Sequence, residues 1–490
     1  MASSSPEQSE QKAPGIVDAG DKGYQKGLKA RHIQMIAIGG SIGTGLFLGA
    51  GGRLANGGPA LAVSYALCGF FAFIMVRALG ELSIRRPSSG AFVSYAREFM
   101  GEKAAYVTGW LFFLDWATSL MADVTAVALY LHFWSFFRPT PQWLLAMIAL
   151  AVVFTLNMFS VKYFGEAEFW FAAIKITAII AFMVVAIWAV VTGHAVGNDQ
   201  AGFANLTNHG GFFPLGIAPI FTLSLGVIFA FGGTEMVGVA AGEAKDAVKI
   251  LPKAINSMIL RIFVFYVGSV VLMTLVLPWT AYSKSESPFV TFFARLGVPH
   301  AGDVMQIVVL TAALSSLNAG LYATGRTLRS MAVAHEAPAF AARLNSQHVP
   351  YGGIIITASL GLLGVLINYL YPSGAFDIVM NLAGIGIAGT WISILASHMV
   401  LVHRAAKGLD ERPSYRLFAA PVSNIVAIAF LLAVIVSMWF EKSVGRPTIL
   451  LFLGVCLAMV IGWFGVRNKI NPELLDNILD EEPTDSGTKA

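Results

Sequence analysis

Ile36-Ala37-Ile38-Gly39-Gly40-Ser41-Ile42-Gly43-Thr44-Gly45-Leu46-Phe47-Leu48-Gly49 carries no charge and places five glycines in fourteen residues. The run is apolar enough for a bilayer and poor as a helix, because each glycine costs about 1 kcal/mol of helix propensity relative to alanine. It therefore predicts a local unwinding at mid-membrane. The competing reading is close helix packing through small residues, which glycines in membranes often serve.

A second stretch, Phe229-Ala230-Phe231-Gly232-Gly233-Thr234-Glu235, followed by Gly238 and Gly242, repeats the pattern. The two segments open successive halves of the chain, and paired glycine-interrupted segments of this kind point to a transporter's binding site. Packing alone does not explain the pair. Unwound backbone in a membrane is tolerated only where it is buried in protein or lines a cavity. There, freed N–H groups receive an anion and freed carbonyls a cation, which together suit a zwitterion such as an amino acid.

Composition sets the frame around these segments. Of 490 residues, 56% are hydrophobic and 12% charged, against about 25% charged in a soluble protein. The expectation is an all-α polytopic membrane protein, since a hydrocarbon core about 30 Å thick takes about 20 helical residues to cross. Twelve apolar spans are read between 33 and 466. The first ten divide into five-helix groups over 33–193 and 213–402; the last two fall within 417–466. Residues 1–32 and the acidic stretch 467–490 read as tails.

The net charge of +4 is too weak and dispersed for a nucleic-acid surface. With the N-terminus inside, the outer loops hold six basic residues: Arg53, Arg138, Lys284, Arg295, Lys442 and Arg446. Lys175 falls within a span and the remaining 25 lie on the inner side, so both termini are expected to be cytoplasmic. Cys68 and Cys456 sit in apolar runs without paired spacing, and the nine histidines show no two-ligand pattern. No metal or cofactor is expected, and no nucleophile elbow or phosphate loop suggests an enzyme.

Gly43-Thr44-Gly45, Phe229 to Glu235 and Arg86-Pro87-Ser88-Ser89-Gly90-Ala91-Phe92 resemble the amino acid/polyamine/organocation superfamily. Within it the chain resembles the bacterial amino acid transporter family, its asparagine permeases above all. That closer match rests on 124–130 (Val-Thr-Ala-Val-Ala-Leu-Tyr), 287–293 (Ser-Pro-Phe-Val-Thr-Phe-Phe) and Gln347-His348-Val349-Pro350-Tyr351.

The resemblance implies a LeuT-type inverted 5+5 helix repeat plus two accessory helices. It also implies import of a neutral amino acid, L-asparagine, by proton symport and alternating access in the cell (inner) membrane of a bacterium. The alternatives are a permease or exchanger for another neutral amino acid and, in a different class, a transporter-fold amino-acid sensor. Partners are then the amino acid and membrane lipid, with H+ as the coupling ion.

Carried onto this chain, the resemblance gives the substrate carboxylate to Thr44 and Gly45 beside Gly43. The ammonium goes to carbonyls of Ser41, Phe229 and Gly232, next to Ala230. Phe229 takes the position of an aromatic gate. Lys175, on the fifth span, occupies the place of a coupling cation near Ser315 and Ser316.

A charged side chain inside a span costs several kcal/mol unless paired or hydrated, so each is a candidate. Asp115 and Asp123 stand eight residues apart on the third span, about 80° around a helix, and can share one face. Asp115 reads as hydrated or capping; Asp123, at the level where the resemblance puts the substrate pocket, reads as a residue that accepts a carboxamide hydrogen or as one that makes a structural hydrogen bond to a neighbouring helix. Glu166 and Glu168 read as interfacial, too far from Lys175 for its stem. Lys175 reads as a coupling residue or as half of an ion pair with a buried carboxylate. Glu235 is expected to hydrogen-bond loosened backbone; Asn318, Asn381 and Trp391 are weaker candidates for contact with the substrate side chain.

Overall fold

The computed structural model describes residues 42–88, 90–158, 161–238, 247–346, 349–372 and 374–470. Ser41, and the motif residues Ser89, Gln347 and His348, lie outside the described residues.

The chain is helical. The first described helix is one turn, α1 (Thr44–Phe47), and Leu48 separates it from α2 (Gly49–Gly57). A 3-10 turn over Gly58–Ala60 leads into α3 (Leu61–Arg85). Next come α4 (Ala91–Met100), α5 (Glu102–Leu131), α6 (Gln142–Asn157) and α7 (Val161–Thr192). A two-residue hairpin, Ala195–Val196 against Asp199–Gln200, interrupts the following loop. Helices α8 (Ala218–Thr222) and α9 (Ser224–Ala230) precede α10 (Ala247–Arg261). A π-helical stretch over Ile262–Gly268 joins α10 to α11 (Ser269–Val276). The remainder is α12 (Pro288–Arg295), α13 (Ala301–Val333), α14 (Tyr351–Leu370), α15 (Ala375–Ala406), α16 (Val422–Ser437) and α17 (Gly445–Val466).

Among the described residues nine helical runs are long and apolar enough to cross a membrane, and two more, Gln142–Asn157 and Ala218–Ala230, are apolar but shorter. The second half of the first span is continuous with the second, over Gly49–Arg85.

Helix α5 is the central post: 94% of its most apolar window is buried, against none for α17. It packs on α4, α6, α13, α14 and α15. Small residues set the spacing, since a Cβ on Gly386 of α15 would stand 2.7 Å from the Asp115 nitrogen of α5. Outward-facing Trp170, Val184, Val191, Leu457 and Ile461 are exposed, which for a membrane bundle is the surface that lipid covers.

At one end of the bundle a carboxylate organises the termini of several helices. Glu81 of α3 accepts from Arg412 Nε (2.6 Å) and Nη2 (3.0 Å), His398 Nε2 (2.9 Å) and Leu417 N (2.8 Å). Asn424 Nδ2 donates to His398 Nδ1 (3.0 Å), so the imidazole hydrogen sits on Nε2 and points at Glu81. Removing the carboxylate leaves the buried His398 N–H and the half-buried Arg412 guanidinium without their acceptor, a loss of about 2 to 4 kcal/mol. Glu81→Ala is expected to lower the thermal unfolding midpoint of the purified protein by many degrees. Lys284→Ala, which breaks an exposed pair with Asp377 (3.3 Å), should cost under about 1 kcal/mol. Equal midpoints would contradict this reading.

Candidate functional site

Both glycine-rich segments leave the helix where they meet: one helix begins after Gly43 and another ends at Ala230. Gly43 is extended (φ −130°, ψ −160°) and a helix begins at Thr44. Leu46 N and Phe47 N both donate to Gly43 O (3.2 Å), which leaves the Thr44 and Gly45 N–H groups without a carbonyl in their own helix. Across from them, α9 ends at Ala230. The chain then turns through bonds from Phe231 N to Ile228 O (2.9 Å) and from Gly232 N to Phe229 O (3.1 Å). Gly233 has φ +89°, a conformation that favours glycine. Glu235 pins the turn, its Oε1 accepting from Gly233 N (3.0 Å) and its Oε2 from Trp391 Nε1 (3.2 Å).

The breaks are in van der Waals contact. A Cβ on Gly45 would lie 2.5 Å from Ala230 Cα and 2.9 Å from its nitrogen. No side chain fits there.

Between the breaks lies a cavity of about 30 Å³, far below the about 300 to 1,000 Å³ of drug-sized ligand pockets. Its walls must part to admit an amino acid. Gly43 and Gly45 line one side, and Phe229, Ala230, Gly232 and Gly233 the other. Asp115, Trp116 and Ser119 of α5 and Ser316 of α13 complete it. Five of the substrate-site residues expected from the sequence thus come together here: Gly43, Gly45, Phe229, Ala230 and Gly232.

Thr44 and Asp123 meet just outside the lining. Thr44 Oγ1 donates to Asp123 Oδ1 (2.6 Å), both side chains buried. Asp123 therefore ties α1 to α5, while Asp115, read from the sequence as hydrated or capping, is 2% exposed and faces the cavity. Among the weaker candidates, Asn318 accepts from Asn157 Nδ2 (2.7 Å) and bridges two helices. Neither Asn381 nor Trp391 lines the cavity.

Lys175, Ser315 and Glu168 form a second cluster. Lys175 Nζ donates to Ser315 Oγ (3.0 Å) and stands 3.7 Å from Glu168 Oε1; both ionic side chains are 1% exposed. The Ser315 hydroxyl reaches the Glu168 carboxylate at 2.8 and 2.9 Å. This corrects the reading of Glu168 as interfacial and out of range. Seven residues are two helical turns, about 10.5 Å along one face, and the two side chains converge on a serine of α13. Ser316 points elsewhere, towards Gly43, where a Cβ would meet its Oγ at 3.3 Å.

Arg53 corrects a second expectation. It lies within α2 rather than an outer loop, 4% exposed, and its Nη1 donates to Gly45 O (3.1 Å). Two glycines make the room, because a Cβ on Gly49 or Gly226 would stand 2.9 or 2.6 Å from the guanidinium. Gly49 stands one helical turn before Arg53, but Gly226 lies on α9, so the sequence alone did not show the enclosure. Among the described residues no group of three or more His, Cys, Asp or Glu is placed to hold a metal ion.

Residues 32–475 match the amino acid permease family. The chain is 56% identical over 453 residues to an L-asparagine permease of Streptomyces coelicolor, covering 92% of this chain and 93% of that protein. It is 53% identical to an L-asparagine permease of Escherichia coli, over 93% of this chain and 91% of the relative. An L-asparagine permease 1 of Mycobacterium tuberculosis is 50% identical, over 92% of both.

The contact at Gly45 is open to test by size. Gly45→Val is expected to cut uptake by at least about tenfold, because the added atoms overpack two backbones, while the protein still inserts. Gly43→Ala, which meets only a serine hydroxyl, should retain measurable uptake. Radiolabelled amino acid uptake normalised to protein in the membrane reads both, and undiminished transport by Gly45→Val would remove the first span from the site.

Proposed function

Because the chain belongs to the amino acid permease family, and so is a multi-pass membrane transporter of amino acids, we propose that it imports L-asparagine by proton symport. The reading that goes with it is twelve spans arranged as two inverted groups of five with two accessory helices, working by alternating access. Both termini would face the cytoplasm across a bacterial cell membrane. The name shared by the relatives at 50 to 56% identity supports the substrate. The observation that carries the mechanism is the pair of helix breaks facing one cavity.

Each break supplies one pole of a zwitterion. The Thr44 and Gly45 N–H groups, at the start of α1, take the carboxylate. Carbonyls of the 229–232 turn, with Ser41, take the ammonium. Phe229 O already accepts from Gly232 N, but a carbonyl has two lone pairs and one remains for the ligand. Phe229, 8% exposed on the cavity wall, acts as the lid.

Coupling is assigned to the buried Lys175–Ser315–Glu168 cluster. Both ionic partners lie on α7 and reach α13 through the Ser315 hydroxyl, so loss of charge on either weakens charge-assisted bonds that tie α7 to α13. A proton drives transport only if two conformations bind it with different affinity, so the cluster must be intact in one conformation and loosened in the other. Lys175 occupies the position that would otherwise hold a coupling cation, and sodium has no part.

Two results follow for protein in liposomes. Lys175→Ala is expected to bind asparagine but to lose accumulation driven by an imposed pH gradient by at least about tenfold. Replacing sodium with choline should leave wild-type uptake in place. Gradient-driven accumulation by the variant, or sodium dependence of the wild type, would contradict proton coupling through this cluster.

A further inference from the structure

The two helix breaks meet the charged ends of the ligand with backbone, and backbone reads what every amino acid shares. Side-chain selectivity must come from the remaining wall, which is built by α5 and Ser316. On α5 three residues with hydrogen-bonding capacity line the cavity: Asp115, Trp116 and Ser119.

Two of these are left incomplete. The Trp116 indole N–H is buried and has no acceptor among the described residues. Asp115, 2% exposed, accepts from Ser119 Oγ at 3.2 Å and pairs with no cation among the described residues. Of the other carboxyls of this region, Glu235 is already engaged by Gly233 N and Trp391, and Asp123, outside the cavity lining, is bonded by Thr44 through Oδ1, its Oδ2 having no partner among the described residues. A buried donor without a partner costs about 1 to 3 kcal/mol, and a buried carboxyl without one costs more. Such groups persist in a cavity when a ligand supplies what is missing.

The missing partners are a donor for Asp115 and an acceptor for Trp116, adjacent in the chain and in one wall. A carboxamide offers both, with an NH₂ donor and a C=O acceptor on one carbon. We propose that Asp115, oriented by Ser119, and the Trp116 N–H form the pocket that recognises the substrate's side-chain carboxamide. The proposal rests on the amino acid import described above and adds the residues that select asparagine; Asp123, held by Thr44, is left to anchor α1.

The pocket is rigid. Gly386 backs the Asp115 backbone, where a Cβ would lie 2.7 Å from its nitrogen, and Gly320 backs the Trp116 ring at 3.3 Å. Phe112 meets that ring edge-on at 6.2 Å between centroids. Ser119 is one helical turn from Asp115, so its hydroxyl fixes the carboxyl on the cavity side. Aspartate, equal in size to asparagine, would set a carboxylate against Asp115 with no hydrogen between them. Alanine would leave both groups unpaired. A site built to hydrogen-bond its substrate rejects analogues on this ground far more strongly than by size.

Competition against labelled asparagine uptake, with the full-length protein in liposomes, tests the pocket. In the wild type, aspartate 4-methyl ester, which keeps the C=O but has no side-chain N–H, should compete about tenfold or more weakly than asparagine. Asp115→Asn gives aspartate a donor and should lower the asparagine-over-aspartate preference by about tenfold or more. Trp116→Phe keeps an aromatic ring in the wall but removes the N–H along with part of the indole, and should lower the asparagine-over-alanine preference by a similar factor, more than it changes alanine uptake itself.

Equal competition by the ester, or unmoved ratios in inserted, active variants, would overturn the pocket. Should Asp115→Asn not reach the membrane, the Trp116→Phe ratio decides. A Trp116→Phe protein that fails to insert, or loses all amino acids equally, also overturns it. A wild type that takes up no asparagine would instead overturn the import reading itself.

Discussion

Gly45 approaches Ala230 so closely that one added carbon would stand 2.5 Å from the neighbour's Cα, and the interior is arranged around that approach. It lets the freed N–H groups at the start of α1 and the freed carbonyls at the end of α9 face a single small volume. Every other wall element is referred to this contact. Thr44 is bound to Asp123 on α5, and Arg53 bonds Gly45 O from a pocket between two glycines. Glu235 holds the opposite break in its turn. A backbone contact at this distance tolerates no slack, so the breaks act as one unit against α5.

The charges inside the bundle divide by what they are tied to. Glu81 is saturated by Arg412, His398 and Leu417 N and holds helix ends together. Lys175 and Glu168 meet across Ser315, so their pairing depends on the relative position of α7 and α13. Asp115 faces the cavity and, among the described residues, has no cation and only the Ser119 hydroxyl as a donor. This grading of satisfaction is what distinguishes a strut from a coupling element and from a ligand group. Burial alone does not, since all four carboxyl and ammonium groups are at most 2% exposed.

Glycine made much of the site legible in advance. Its helix cost is a local property, so Gly43 to Gly45 and Gly232 to Gly233 announced the breaks that α1 and α9 display. Features that depend on a distant partner stayed hidden. The Glu168–Lys175 pair needs a serine 140 positions beyond the lysine to bring the two side chains together. Arg53 follows an apolar run of ordinary length and so resembles a loop charge; only Gly226, on another helix, shows that it is enclosed. Asp115 and Asp123 are separated by about 80° around α5, and periodicity does not say which of them meets the cavity and which meets Thr44. Span lengths were blurred for a related reason: the second half of the first span runs into the second as Gly49–Arg85, because the 3-10 turn at Gly58–Ala60 joins the two without an intervening polar loop.

A structure of the protein with L-asparagine bound tests the central claim most directly, because the ligand must lie between the two breaks and span to α5. The account predicts its carboxylate at the Thr44 and Gly45 nitrogens, its ammonium at the 229–232 carbonyls, and its carboxamide against Asp115 and Trp116. Asparagine bound away from the Gly45–Ala230 contact, or seated there with its carboxamide turned from α5, would contradict it.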